Sequence, residues 1–106
     1  MRTEEFTIKL EQNTQQATGN LLLEIDETGV SGDITLGTRK SFFRGKTLRK
    51  DHYVISVSLP INGKLEDCDG LFLVREDGSL LGILLSLEQT WTLTGKWVGW
   101  LGTARS

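Results

Sequence analysis

His52 is the single histidine and Cys68 the single cysteine of this 106-residue chain. Imidazole chemistry would have to run through His52, with Asp51 beside it or a distant carboxylate as partner. Strand alternation sets His52 opposite Tyr53, Ile55, Val57 and Leu59, which turns it to solvent or to a strand mouth. There is no G-x-S-x-G elbow to present a nucleophilic serine. Catalysis by shape alone needs no triad, because holding a substrate in a reactive conformation supplies much of the acceleration. In an enzyme of that kind Tyr53, His52 and Arg44 are the candidates to polarise a carbonyl or move a proton.

Cys68 stands in Glu66-Asp67-Cys68-Asp69, which reads as an acidic, solvated turn. Neighbouring carboxylates disfavour its thiolate. One His and one Cys do not make a zinc site. Asp67 and Asp69 before Gly70 lack the spacing and the closing glutamate of a calcium loop. No metal and no cofactor is expected.

Two segments stand out as binding surfaces. Residues 39–50 hold Arg39, Lys40, Arg44, Lys46, Arg49 and Lys50, half of the twelve basic residues, with no acid and with Phe42 and Phe43 between them. The segment reads as a charged edge strand that blocks sheet-to-sheet aggregation. Alternatively it forms an anion-attracting rim, or a surface for single-stranded nucleic acid. The C-terminal stretch carries Trp91, Trp97 and Trp100 among Gly95, Gly99 and Gly102. These indoles either plug a narrow core or line a cavity for a planar or apolar ligand.

The elements that must position these residues are strands. Apolar side chains recur with period two at Phe6, Ile8 and Leu10, at Leu21, Leu23 and Ile25, at Val30, Gly32, Ile34 and Leu36, at Tyr53 to Leu59, and at Trp91 and Leu93. Turn chemistry falls between the runs at Asp26 to Gly29, Asn62-Gly63, Asp69-Gly70 and Asp77-Gly78. Short helical turns fit only within 11–18 or 60–68. Eight or nine strands with short sequential connections predict an up-and-down antiparallel meander. A sheet of that size curls and closes, which removes its edges. The expected fold is all-β, one domain over residues 1–106, closed into a barrel of about eight strands.

Composition bounds the rest. The formal charge of −2 speaks against a nucleic-acid partner. No apolar run nears the ~20 residues that span a bilayer, and the start alternates charged and apolar side chains unlike a secretory signal. With one cysteine, a cytoplasmic location is expected.

An internal echo links two hairpins. Gly19 to Leu23 leads through Asp26 and Gly29 to Gly32, Ile34 and Leu36, and Gly70 to Leu73 leads through Asp77 and Gly78 to Gly82, Ile83 and Leu85. The second copy, carried by Gly70, Leu71, Leu73, Asp77, Gly78, Leu80, Gly82, Leu84 and then Trp91 to Gly95, resembles the small lipocalin-like (calycin-like) barrels of bacteria. The resemblance covers roughly residues 19–95 and is architectural. The Gly-x-Trp of lipocalins is missing from the first strand, and the chain is shorter than a typical lipocalin. The resemblance implies a closed meander with a ligand cavity. It implies no particular ligand and transfers no site residue.

Leu21-Leu22-Leu23, Leu80-Leu81 and Ile83-Leu84-Leu85 are apolar on both strand faces. A barrel has one inside, so the outer face needs cover, and a homodimer is the simplest cover. The leading expectation is therefore a barrel that binds a small apolar or amphipathic molecule through Trp91, Trp97, Trp100, Tyr53, Phe43 and Arg44. The alternatives are a cyclase or isomerase of a biosynthetic pathway, and a homo-oligomeric interaction module without a ligand.

Overall fold

A computed structural model describes residues 2–13, 15–61, 63–87 and 89–101, with residues 61 and 99–101 as backbone only. Eight strands follow one another: β1 (Arg2–Gln12), β2 (Gln15–Asp26), β3 (Gly29–Leu36), β4 (Arg39–Arg49), β5 (His52–Ile61), β6 (Lys64–Val74), β7 (Ser79–Leu85) and β8 (Thr90–Leu101). Each pairs antiparallel with its sequence neighbours, and β1 also pairs with β8, which closes the barrel. Closure satisfies the backbone groups that an open sheet would leave at its two edges.

Three local expectations give way to pairing. Residues 11–18 and 60–68 form no helical turn, because Gln12 pairs with Gln15 and Ile61 with Lys64 as the ends of long hairpins. Asp69-Gly70 is not a turn either: Gly70 lies inside β6, between Ile55 and Leu84. A Cβ there would come within 2.6 Å of Leu84 Cδ2, so this glycine makes room for packing. Cys68 is accordingly buried on a strand and does not sit in a solvated turn.

The strand period explains the core. Phe6, Ile8 and Leu10, Leu21 and Leu23, Tyr53 to Leu59 at alternate positions, Phe72, Leu80, Leu84, Trp91 and Leu93 all point inward and are buried. The outward positions of β4 carry Lys40, Arg44 and Lys46. This outer face of β4 is charged, whereas the outward band of a membrane barrel is apolar. No helix long and apolar enough to cross a membrane occurs among the described residues.

The two echoing hairpins share one construction. Asp26 Oδ1 accepts from Thr28 N at 2.7 Å and Gly29 N at 3.1 Å, and Asp77 Oδ1 accepts from Ser79 N at 2.9 Å. Each aspartate also takes its neighbour's hydroxyl, from Thr28 and from Ser79, both at 2.6 Å. These Asx turns set the way back into β3 and β7. On each return strand a glycine then stands opposite an aromatic side chain, Gly32 opposite Phe43 and Gly82 opposite Phe72.

The barrel is not evenly laced. Past the last pair, Phe43 with Val57, both strands continue without pairing to each other, β4 over Arg39–Phe42 and β5 over Ser58–Ile61. Pro60 lies in that parted stretch, where the missing N–H breaks no bond to β4. Beyond it β4 is no edge strand: Arg44 pairs with Ser31 on one side and Ser56 on the other. The edge-protection reading of 39–50 therefore holds for Arg39 and Lys40 at most.

Candidate functional site

The turns joining β1–β2, β3–β4, β5–β6 and β7–β8 gather at one end of the barrel. There β1 and β2 continue as a hairpin past Gly19, the residue level with the last residue of β3, Leu36. Between that hairpin, the end of β3 and Pro60 lies a cavity of about 370 Å³, lined by Leu10, Gln15, Gln16, Ala17, Leu36, Pro60 and Trp91. Its size falls within the ~300–1,000 Å³ range of small-molecule sites. Its walls are mostly apolar, with Gln15 and Gln16 as the polar residues among them.

Trp91 is the chemically distinctive wall. Its side chain is 5% exposed. Its indole Nε1 is buried and has no hydrogen-bond partner among the described residues. An unpaired buried donor costs roughly 1–3 kcal/mol. The β7–β8 connection that leads into Trp91 is pinned from β6. Both Glu66 carboxylate oxygens are engaged, Oε1 by Ser86 Oγ at 2.9 Å and Oε2 by Gln89 Nε2 at 3.1 Å. Ser86 Oγ also accepts from Gln89 N at 3.1 Å.

Of the candidate site residues whose side chains are described, only Trp91 lines this mouth. Phe43 is buried in mid-barrel against Phe72. Tyr53 is buried near the opposite end, beside the β4–β5 turn. Trp97 stands on β8 over the β6–β7 turn, 42% exposed, with its backbone N–H donating to Gly78 O at 2.8 Å. Arg44 projects outward from β4. The side chain of Trp100 lies outside the described residues. The partners of Trp91 escaped sequence reading because they come from four other strands or strand ends. None of Leu10, Ala17, Leu36 and Pro60 differs in type from an ordinary core residue.

His52, Tyr53 and Arg44 do not converge. His52 and Tyr53 are successive residues and so face opposite sides of β5. The His52 ring bonds the Lys50 carbonyl at 2.8 Å through Nδ1. Arg44 is level with Ser56, four residues along β5 from His52, or about 13 Å at strand rise. Tyr53 instead meets the start of β1. Its hydroxyl is 3.5 Å from Arg2 Nη2, and Arg2 Nε is 3.0 Å from Glu4 Oε2. Burial raises the Tyr53 phenol above its ordinary range, opposed by the positive charge of Arg2. It is a proton holder at neutral pH and a poor base. Burial also raises the Cys68 thiol, with Glu66, Asp67 and Asp69 adding to the rise.

Among the described residues no three His, Cys, Asp or Glu side chains converge as metal ligands. Outside the barrel, a groove of about 660 Å³ runs over the parting of β4 and β5. Its walls include Lys40, Phe42, Ser56, Ser58, Leu65, Asp67 and Asp69. Ser56 Oγ donates to Asp69 Oδ1 at 3.2 Å, and Ser58 Oγ donates to Asp67 Oδ1. No family model, curated protein or solved structure matches this chain.

Proposed function

We propose that this chain is a small lipocalin-like binding barrel that takes a small, mainly apolar molecule at its mouth, in the cavity beside Trp91. The observation that carries the reading is that Trp91, whose indole N–H is buried without a partner among the described residues, forms part of the wall of a mostly apolar cavity. A ligand whose hydrocarbon covers Leu10, Ala17 and Leu36 would give that donor an acceptor if the indole turns so that its N–H meets a carbonyl or ether oxygen of the ligand. Buried apolar area contributes about 25 cal/mol per Å². The core side chains below the mouth pack into one buried cluster, so the ligand is placed at the end of the barrel.

The test uses a chain with Trp97→Phe and Trp100→Phe, so that emission reports Trp91 alone. It is titrated with small apolar ketones, lactones and their hydrocarbon analogues. Saturable emission changes with the oxygenated members, abolished by the cavity-filling Ala17→Trp in a fluorescence-independent calorimetric assay, support the reading. Inert emission across the whole panel overturns it.

A second reading rests on the outer face of β6 and β7. Leu71, Leu81, Ile83 and Leu85 are exposed there, level with Thr92, Thr94 and Thr90 of β8. These positions carry no charge, so a second copy of the chain could pair two-fold on them without burying an ion. Ile83→Lys should then convert a dimer to a monomer in sedimentation equilibrium. A parent chain that is monomeric at high concentration removes this reading and leaves the mouth site untouched.

A further inference from the structure

The cations of residues 39–50, namely Arg39, Lys40, Arg44, Lys46, Arg49 and Lys50, make no ion pair among the described residues. The other six basic residues share the rest of the chain with all fourteen acidic ones. Lys40, Phe42, Arg44 and Lys46 alternate onto the outer face, and Phe42 is 72% exposed between two of the charges. Protection of a sheet edge does not account for Arg44, whose strand is paired on both sides at that point.

Next to these charges the backbone is open. Arg39–Phe42 pairs with β3 but has no partner on its β5 side. Pro60 has no N–H with which β5 could complete that ladder. The groove over this parting is flanked by Lys40 and Phe42 on β4 and by Leu65 on β6.

We infer that this open edge of β4 is a docking site for an extended acidic segment of a partner polypeptide, with one apolar side chain seated against Phe42. The partner's main chain continues the ladder along Arg39–Phe42, as in strand addition to a sheet edge. Its carboxylates meet Arg39, Lys40 and Arg44. The open main-chain groups favour a polypeptide over a nucleic acid, which has no ladder to offer. Nucleic-acid grooves also stack successive bases on several aromatics, whereas Phe42 stands alone on this face. Asp67 and Asp69 stand on the β6 side of the groove, where Ser58 and Ser56 engage their carboxylates, so the partner's acidic side chains face the β4 side. The charges that keep apolar strands off the edge thus select an acidic one.

The test measures fluorescence anisotropy with the full chain at physiological salt and three labelled probes. They are an eight-residue peptide of glutamates with one central leucine, its fully N-methylated counterpart, and an oligothymidine of equal charge. The expected result is saturable binding of the first peptide, weakened at least tenfold by N-methylation and at least tenfold by Lys40→Glu with Arg44→Glu. Lys9→Glu with Lys96→Glu, on strands across the barrel, should change it less than twofold. No binding of the parent peptide, equal binding of the N-methylated one, or tighter binding of the oligothymidine each overturns the inference.

Discussion

The rings of Phe43 and Phe72 meet edge to face in the middle of the barrel, with centroids 5.9 Å apart and planes at 90°. Each ring lies over the glycine directly opposite it in the sheet. A Cβ on Gly32 would fall 2.8 Å from Phe43 Cζ, and one on Gly82 would fall 2.8 Å from Phe72 Cδ1. Each echoing hairpin therefore supplies a glycine seat for one ring of this contact, Gly32 for Phe43 and Gly82 for Phe72. Phe43 and Phe72 come from β4 and β6, separated by β5, so the pair ties non-adjacent strands across the interior.

Removing that tie should be costly. Phe72→Ala is expected to lower stability by about 3–5 kcal/mol, in the range for a buried aromatic truncated in a close-packed core. A double-mutant cycle with Phe43→Leu and Phe72→Leu should return a coupling of about 0.5–1.5 kcal/mol. Urea unfolding monitored by far-ultraviolet circular dichroism gives both numbers. Additive losses would mean that the two rings stabilise the barrel independently.

The glycine seats can be tested against a glycine that touches nothing. Gly82→Ala should cost about 1–3 kcal/mol, because the new methyl must displace the Phe72 ring or the Leu71 carbonyl. Gly37 has nothing within 4 Å of its Cβ position and a φ of 62°. Asn tolerates that left-handed conformation, so Gly37→Asn should cost under about 1 kcal/mol. Equal losses at the two sites would show that ring packing does not set the requirement for glycine at 82.

The two Asx turns predict a pH dependence. Hydrogen bonds from Thr28, side chain first and then backbone, hold the Asp26 carboxyl below its ordinary 3.8, and Ser79 does the same for Asp77. A carboxyl that is more acidic folded than unfolded adds stability above its unfolded pKa. That contribution is lost as pH falls below 3.8 through the folded values. Asp26→Ala with Asp77→Ala should therefore destabilise the barrel at pH 7, and the gap to the parent should close towards pH 2. A gap that stays constant with pH would assign the effect to turn geometry alone. Both carboxyls are fully exposed, so the dependence should be shallow.

Cys68 predicts the opposite limb. Its thiol is raised above the ordinary 9.0 mainly by burial. Such a group favours the folded state below the unfolded pKa, and the contribution disappears as pH rises above 9.0 through the folded value. The Tyr53 phenol, raised from 10.0, acts in the same direction at higher pH. Cys68→Ala should flatten the first part of the alkaline loss of stability. At pH 8 the native thiol should react with an aromatic disulfide reagent at least tenfold more slowly than the urea-unfolded thiol. Equal rates would mean that the thiol is reachable from the groove outside the barrel.

Much of this architecture is local and could be read from the chain. Tyr53, Ile55, Val57 and Leu59 alternate with polar or outward residues, and the side-chain period of an extended backbone places them inside whatever their partners are. Asp26 and Asp77 bond residues two and three positions on, so their turns follow from near neighbours alone. Closure also follows from eight short-linked strands, since the edges must be paired or covered.

Other features depend on residues far apart in the chain. Asp69-Gly70 has the composition of a turn, yet Ile55 and Leu84 hold it straight inside β6. Trp91 and Tyr53 are both inward aromatic residues, and only the register of the closed sheet puts them near opposite ends, one beside a cavity and one against Arg2. The parting of β4 from β5 is likewise a property of two strands at once. Side-chain periodicity and turn chemistry are set within a few residues, so the chain alone determined the strands and the closed barrel. Register and the meeting of strand ends are set by the sum of pairings around the whole barrel, so only the tertiary structure decided where its mouth and its open edge lie.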